Sequence, residues 1–206
     1  MCSSDLKQIL YGLVALLVVG GLSYQSYVYA QTWKSDISIW EHARKINPYS
    51  SYPHSQLAKA YQESGDPHKA AALYKKASEL TERGNSNIIL RRRAAMAYGE
   101  AKEYELAIRE YRALLRQSPQ LGDVAFEMGW TYLLSGNEPE AEATFNRVLE
   151  KNPEHGWSYF GLAEMAFKKG DDEKGRNLYT LALNHSSDSV LVQTIIKNLQ
   201  VRSKQS

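Results

Sequence analysis

The chain has 206 residues, 43% of them hydrophobic and 23% charged, with 25 basic against 23 acidic side chains and a net charge of +2. This composition is globular rather than disordered, is long enough for one domain with a modest core, and gives no ground for nucleic acid as a partner, since that needs a concentrated basic face. A single cysteine, Cys2, excludes an intrachain disulfide and a cysteine-built metal site.

In chain order, residues 1–6 (Met-Cys-Ser-Ser-Asp-Leu) match the translation of a sequencing-adapter read opened at a GTG start. They are expected to be non-native, with the native protein beginning further upstream. No lipobox precedes Cys2. Residues 7–31 follow: Ile9 to Leu22 is apolar apart from glycine and Tyr11, and weaker apolar character continues through Tyr24, Tyr27, Val28, Tyr29 and Ala30. The stretch of 22 residues meets the ~20 needed to cross a bilayer as a helix. Tyrosines clustered at its C-terminal end suit the membrane interface. The segment is predicted to be a single transmembrane helix or signal anchor. A cleaved signal peptide is the competing reading, with Lys7 as n-region and Val28-Tyr29-Ala30 as cleavage site, and it would release a secreted soluble protein. The long polar stretch after the apolar core and the sparse positive charge favour the uncleaved helix. Both readings place the remainder outside the cytoplasm, in a periplasm or lumen.

Residues 32–50 read as half of a unit: Trp40, Ala43 and Pro48 have the spacing of a second helix, and the hydrophobic segment stands where its first helix belongs. Self-similarity then recurs in units at 51–84, 88–121, 122–155 and 156–187. Met128-Gly129, Tyr132, Gly136, Ala141, Phe145, Val148 and Pro153 are matched 34 residues later by Leu162-Ala163, Ala166, Gly170, Gly175, Tyr179 and Ala182. Ala94-Ala95, Tyr98, Ala107, Tyr111, Leu114 and Pro119 stand 34 residues earlier. Leu57-Ala58, Tyr61, Gly65, Ala70, Tyr74 and Ala77 stand a further 37 back, the surplus falling at 82–87. Helical offsets place each set on one face of a helix, so each unit is two amphipathic helices in close contact. Ser64-Gly65-Asp66-Pro67, Ser135-Gly136-Asn137 and Gly170-Asp171-Asp172 are turns between them, with Asp66 as N-cap and Pro67 in the first helical turn. Pro48, Pro119 and Pro153 end second helices. Residues 188–202 form a terminal helix whose packing face is expected to be Val190, Leu191, Ile195, Ile196 and Leu199.

This pattern resembles the tetratricopeptide repeat (TPR) from Trp33 to about Ser187. The resemblance implies an all-α, right-handed superhelix of helix-turn-helix repeats, here preceded by the transmembrane helix and closed by a capping helix. Gly175 departs from the usual alanine, Ala166 from the usual tyrosine, and Leu114 and Val148 are larger than usual. A second resemblance rests on about residues 24–50: Trp33-Lys-Ser-Asp-Ile-Ser-Ile-Trp40 followed by Asn47-Pro48 is similar to the junction in membrane O-mannosyltransferase-like proteins, where a last transmembrane helix runs into a TPR tail. It implies that an enzyme could lie upstream, with no catalytic residue of that family in this chain.

The chain carries no HExxH, phosphate-binding glycine loop, nucleophile elbow or zinc spacing, so no enzyme activity, cofactor, metal or small-molecule substrate is expected. His42, His54, His68, His155 and His185 are scattered, and Arg91-Arg92-Arg93 reads as a solvated helix face. Function must then come from a surface. TPR first helices line a concave groove that takes an extended peptide or a partner helix, so a protein or peptide is the expected partner. Helical phase nominates Phe126, Trp130, Leu133, Trp157, Phe160 and Phe167 for an aromatic C-terminal half. Lys59, Arg92 and Met96, beside Tyr52 and Gln62, form a polar and partly basic N-terminal half. The alternative for Trp130 and Phe160 is packing between repeats. Ser55 and Lys59 do not match the carboxylate clamp of chaperone-binding TPRs.

Overall fold

A computed structural model describes residues 3–82 and 84–203, with the side chains of residues 3–9 outside that description. Cys2 and the first residue of the adapter-like start therefore lie outside the described residues. Among them are eleven helices and no strands: α1 (Ser3–Gln31), α2 (Asp36–Ile46), α3 (Ser51–Glu63), α4 (Pro67–Glu79), α5 (Asn85–Glu100), α6 (Tyr104–Gln117), α7 (Gly122–Leu134), α8 (Glu138–Lys151), α9 (Gly156–Lys168), α10 (Asp172–Asn184) and α11 (Ser189–Arg202).

From α3 onward the helices pair as hairpins, α3 with α4, α5 with α6, α7 with α8 and α9 with α10. One local device makes all four hairpin turns. Each first helix ends with a residue at positive φ: Gly65 (85°), Lys102 (61°), Gly136 (83°) and Gly170 (80°). The next amide then reaches back to the carbonyl five residues earlier, Asp66 to Tyr61, Glu103 to Tyr98, Asn137 to Tyr132 and Asp171 to Ala166, at 2.8–3.0 Å. This left-handed closure satisfies carbonyls that a helix end otherwise leaves open. Asp66 and Asp171 cap the second helices by accepting from the Lys69 and Lys174 amides. On the far side, α2, α6 and α8 end at Ile46, Gln117 and Lys151, two residues before Pro48, Pro119 and Pro153.

Small residues and aromatics alternate through the core. Ala58, Ala70, Ala77, Ala94, Ala95, Ala107, Ala141, Ala163 and Ala182 are fully buried, with Tyr74, Tyr111, Phe145 and Tyr179 filling the space beside them. Phe145 shows why glycine stands at two of these places. A Cβ on Gly129 would lie 2.7 Å from its ring and one on Gly161 would lie 2.6 Å from it, so both first helices close onto one phenyl group. Gly175, the departure from the usual alanine, makes the same room for the Phe167 ring, 2.7 Å from where its Cβ would be. One core cluster runs from α3 to Met165 of α9, a second joins α9, α10 and α11, and Trp130 packs against both.

The ends differ from the middle. The α1 stretch Leu10–Gln31, 22 residues with mean hydropathy 1.4, has no part buried against the rest of the chain. Three tight hydrogen bonds over Tyr29–Lys34 turn it directly into α2, where Ser35 and Ser38 form a capping box. The Tyr29 ring meets His42 of α2 at 6.3 Å. At the other end α11 buries Leu191 and Ile195 but leaves Val190, Ile196 and Leu199 exposed. The five-residue packing face expected there is corrected to two residues, because among the described residues α11 packs mainly against α9 and α10 and leaves its other side exposed.

Candidate functional site

The first helices α3, α5, α7 and α9 form the inner wall of the stack. On α7 the helical period of 100° per residue separates two stripes. Val124, Met128 and Tyr132 are buried, while Phe126, Trp130 and Leu133, on the opposite side, are half-buried. On α9, Trp157 is half-buried as well, and Phe126 and Trp157 sit 5.7 Å apart between ring centres. Trp130 stacks on Phe160 at 5.7 Å and 29°, and Trp157 meets the same ring edge-on at 5.6 Å. These rings hold one another in place, and Phe126, Trp130 and Trp157 are each partly exposed.

Two of the nominated aromatics are core, not wall. Phe160 is 4% exposed and Phe167 is 7% exposed. Phe160 lies against Tyr179 at 5.7 Å and 12°, and Phe167 lies against Tyr179 at 5.1 Å with the Arg202 guanidinium over its face. The expectation that both line an open groove is corrected. Helical phase places them on the inner stripe, but α10 and α11 close over α9 and cover them.

The N-terminal half of the wall is polar, as nominated, but its charges are already used. Arg92 on α5 makes a forked pair with Glu127 on α7, Nε lying 2.9 and 3.0 Å from the two carboxylate oxygens. That pairing holds the guanidinium in its charged form, and burial of the neighbouring Tyr111 hydroxyl pushes its pKa well up, with Glu127 adding to the effect. Arg92, nominated for the partly basic half of the groove, thus has its charge paired within the protein. Lys59 pairs with Glu63 on its own helix at 3.5 Å and stays exposed, and Gln62 donates to Glu100 at 2.9 and 3.0 Å. Met96 is 42% exposed.

The acidic partners were missed in the sequence, and three of them fall about one repeat downstream of what they hold. Glu127 stands 35 residues after Arg92, Glu103 stands 35 after His68, and Asp188 stands 31 after Trp157. The Trp157 indole donates to Asp188 at 2.9 Å, and this bond, with the Val190 amide, holds the Asp188 carboxyl below the usual carboxylate range. Half-buried Glu164 gathers the Tyr179 hydroxyl, Asn198 at 3.1 Å and Arg202 at 3.1 Å, tying α11 to α9. The signal available in the sequence was a polar residue recurring at repeat spacing, which the apolar pattern overshadowed. Among the described residues no group of three or more His, Asp or Glu side chains is placed to hold a metal ion.

Two tetratricopeptide repeat family models match the chain, over residues 55–122 and 100–157, so together they span half of it. The chain belongs to the tetratricopeptide repeat family. Tetratricopeptide repeat protein 21A of Mus musculus is 30% identical over 102 residues, 50% of this chain, and the chain spans only 8% of that protein's length. Among solved structures, MamA is similar at 18% identity with a TM-score of 0.59, covering 72% of this chain and 85% of MamA. MamA from Desulfovibrio magneticus RS-1, residues 41 to the end, gives 18% and 0.59 over 74% and 86%. YrrB, described as a TPR protein with an unusual peptide-binding site, gives 16% and 0.57 over 78% of this chain and 81% of YrrB. At these identities the likeness speaks for the fold of the TPR stack.

Proposed function

We propose that this TPR protein is a membrane-anchored scaffold that holds a peptide or protein segment against the inner wall of its repeats, on the extracytoplasmic side. One observation carries the binding reading: Phe126, Trp130, Leu133 and Trp157 form a half-buried stripe across α7 and α9, beside exposed Met96 on α5. Aromatic side chains fixed by packing lose little freedom when a guest covers them, so their remaining apolar area is available for binding. With Arg92 and Lys59 paired, recognition at this wall rests on shape and apolar contact more than on charge. The peptide-binding site named for YrrB, on the same fold, agrees with a guest of that kind.

Anchoring rests on α1, whose apolar stretch Leu10–Gln31 has no part buried against the rest of the chain and which turns within four residues into the repeat array. Such a helix is stable in water only if a bilayer or another chain covers it. Its length and its terminal tyrosines fit a bilayer.

The test uses the full chain in cells, with a photo-cross-linking residue placed at Met96 or Leu133. Adducts from both positions, lost on Trp130→Ala, are expected, together with retention in the membrane fraction after alkaline extraction. The binding reading fails if neither position cross-links above an outer-face position, and the anchor reading fails if a fragment beginning after Ala30 is found free in solution.

A further inference from the structure

Clefts also lie away from the aromatic stripe of the inner wall. Three adjoining clefts of about 810, 430 and 670 Å³ lie over the outer side of α7, between α6 and α8. They run together: Leu115, Met128 and Arg147 line the first two, and Arg112, Arg116 and Tyr132 line the second and third. Met128 and Tyr132 belong to the buried stripe of α7, roughly half a helical turn away from Phe126 and Trp130. Over the second and third clefts the trough therefore opens away from the proposed inner site, whereas the first cleft reaches round to Arg92 of the inner wall. Its length is set by α6, whose 14 residues span about 20 Å at 1.5 Å per residue.

Its chemistry is one-sided. The floor is apolar, from Leu115, Met128 and the Tyr132 ring. Arg116 and Arg147 line it, both exposed and with neither hydrogen bond nor ion pair among the described residues. Arg112 rests on the Tyr132 ring and donates to its hydroxyl, so it has no carboxylate either. Of the acidic side chains of the trough, Glu105 stands at one end where α6 begins, Asp123 lies in the first cleft bonded to His155 at 3.2 Å, and Glu140 in the first turn of α8 lines the middle cleft without pairing to either arginine. Elsewhere in this protein Arg92 pairs with Glu127 of the next repeat and Arg202 of α11 with Glu164 of α9. Arginines left without carboxylates over an apolar floor are complementary to a segment that brings carboxylates and apolar side chains together.

We propose that the outer trough between α6 and α8 is a second docking site, which takes an acidic amphipathic peptide segment of a partner protein. Apolar side chains of that segment cover Met128 and Leu115, and its Asp or Glu side chains pair with Arg116 and Arg147. The part of the trough lined by Arg116 and Arg147 faces away from Phe126 and Trp130, so one TPR stack can hold two segments at once.

The test is direct binding of labelled peptides of about 12 residues, one built from Glu and Leu and a matched one from Lys and Leu, to the full chain in detergent. The acidic peptide is expected to bind and the basic one not to, with affinity falling as salt rises from about 50 to about 500 mM. Arg116→Glu with Arg147→Glu should weaken the acidic peptide by about tenfold or more. Arg116→Gln with Arg147→Gln should weaken it less, and Trp130→Ala should leave it unchanged. Both arginines are exposed and partnerless, so helical content is expected to stay the same in these variants. Equal binding of the basic peptide, indifference to charge reversal, or loss on Trp130→Ala would overturn the proposal. So would self-association of the chain that disappears on charge reversal, because a second copy would then be the occupant.

Discussion

The two halves of the inner wall are built from the same repeat yet hold their side chains in opposite ways. In α3 and α5 the wall is polar and its charges are cancelled by acids from the same helix or the next repeat, as with Lys59 and Glu63 or Arg92 and Glu127. In α7 and α9 it is aromatic and its rings are locked by stacking, with Phe160 drawn fully into the core. The difference teaches that a position on the inner stripe of a TPR helix is not thereby a free surface. What the next repeat brings to it decides whether it is open, paired or covered.

The largest expected effect separates core from wall within the aromatic half. Phe160→Ala should destabilise the chain by about 3–5 kcal/mol, the usual range for emptying a buried phenylalanine. Trp130→Ala, at a half-buried ring joining two core clusters, should cost clearly less. Urea denaturation followed by circular dichroism measures both, and equal losses would erase the distinction between the two residues. In the polar half, Glu127→Ala should cost about 1 kcal/mol, because the pair is partly exposed and solvent screens it. It should also release Arg92, so that weak binding of the acidic peptide appears at the inner wall. Unchanged stability would mean that the forked pair contributes nothing to joining α5 and α7.

The smallest effect is in pH. Asp188 has its folded pKa depressed by the Trp157 indole and the Val190 amide, so its contribution is complete above the unfolded value and lost as pH falls through the folded one. Trp157 fluorescence should therefore stay constant on acidification to the ordinary aspartate range and change only below it. In Asp188→Asn that late change should vanish. A transition in the ordinary range instead would show that the indole does not hold the carboxylate.

Much of the fold was legible because its determinants are local. Gly65, Gly136 and Gly170 announce three hairpin turns, and Asp66-Pro67 announces a helix start, through backbone preferences that need no neighbour. The turn of the second unit was not legible for the same reason: Lys102 occupies the positive-φ position where its counterparts have glycine, and only the folded hairpin holds a side-chain residue there. Gly129 was readable as a close approach, whereas Gly161, meeting the same Phe145 ring from the neighbouring repeat, was not.

The sequence alone determined the repeat, its phase, the alanine and aromatic core, and the apolar N-terminal helix, since all follow from spacing along one chain and from the cost of exposing apolar area. Only the tertiary structure decided which inner residues remain available, that Phe160 and Phe167 are covered, that Arg92 is neutralised, and that Arg116 and Arg147 line one trough without pairing to an acid. Each of these depends on which side chain the adjacent repeat places opposite. The distance across that gap is set by helix packing, which residue spacing does not encode.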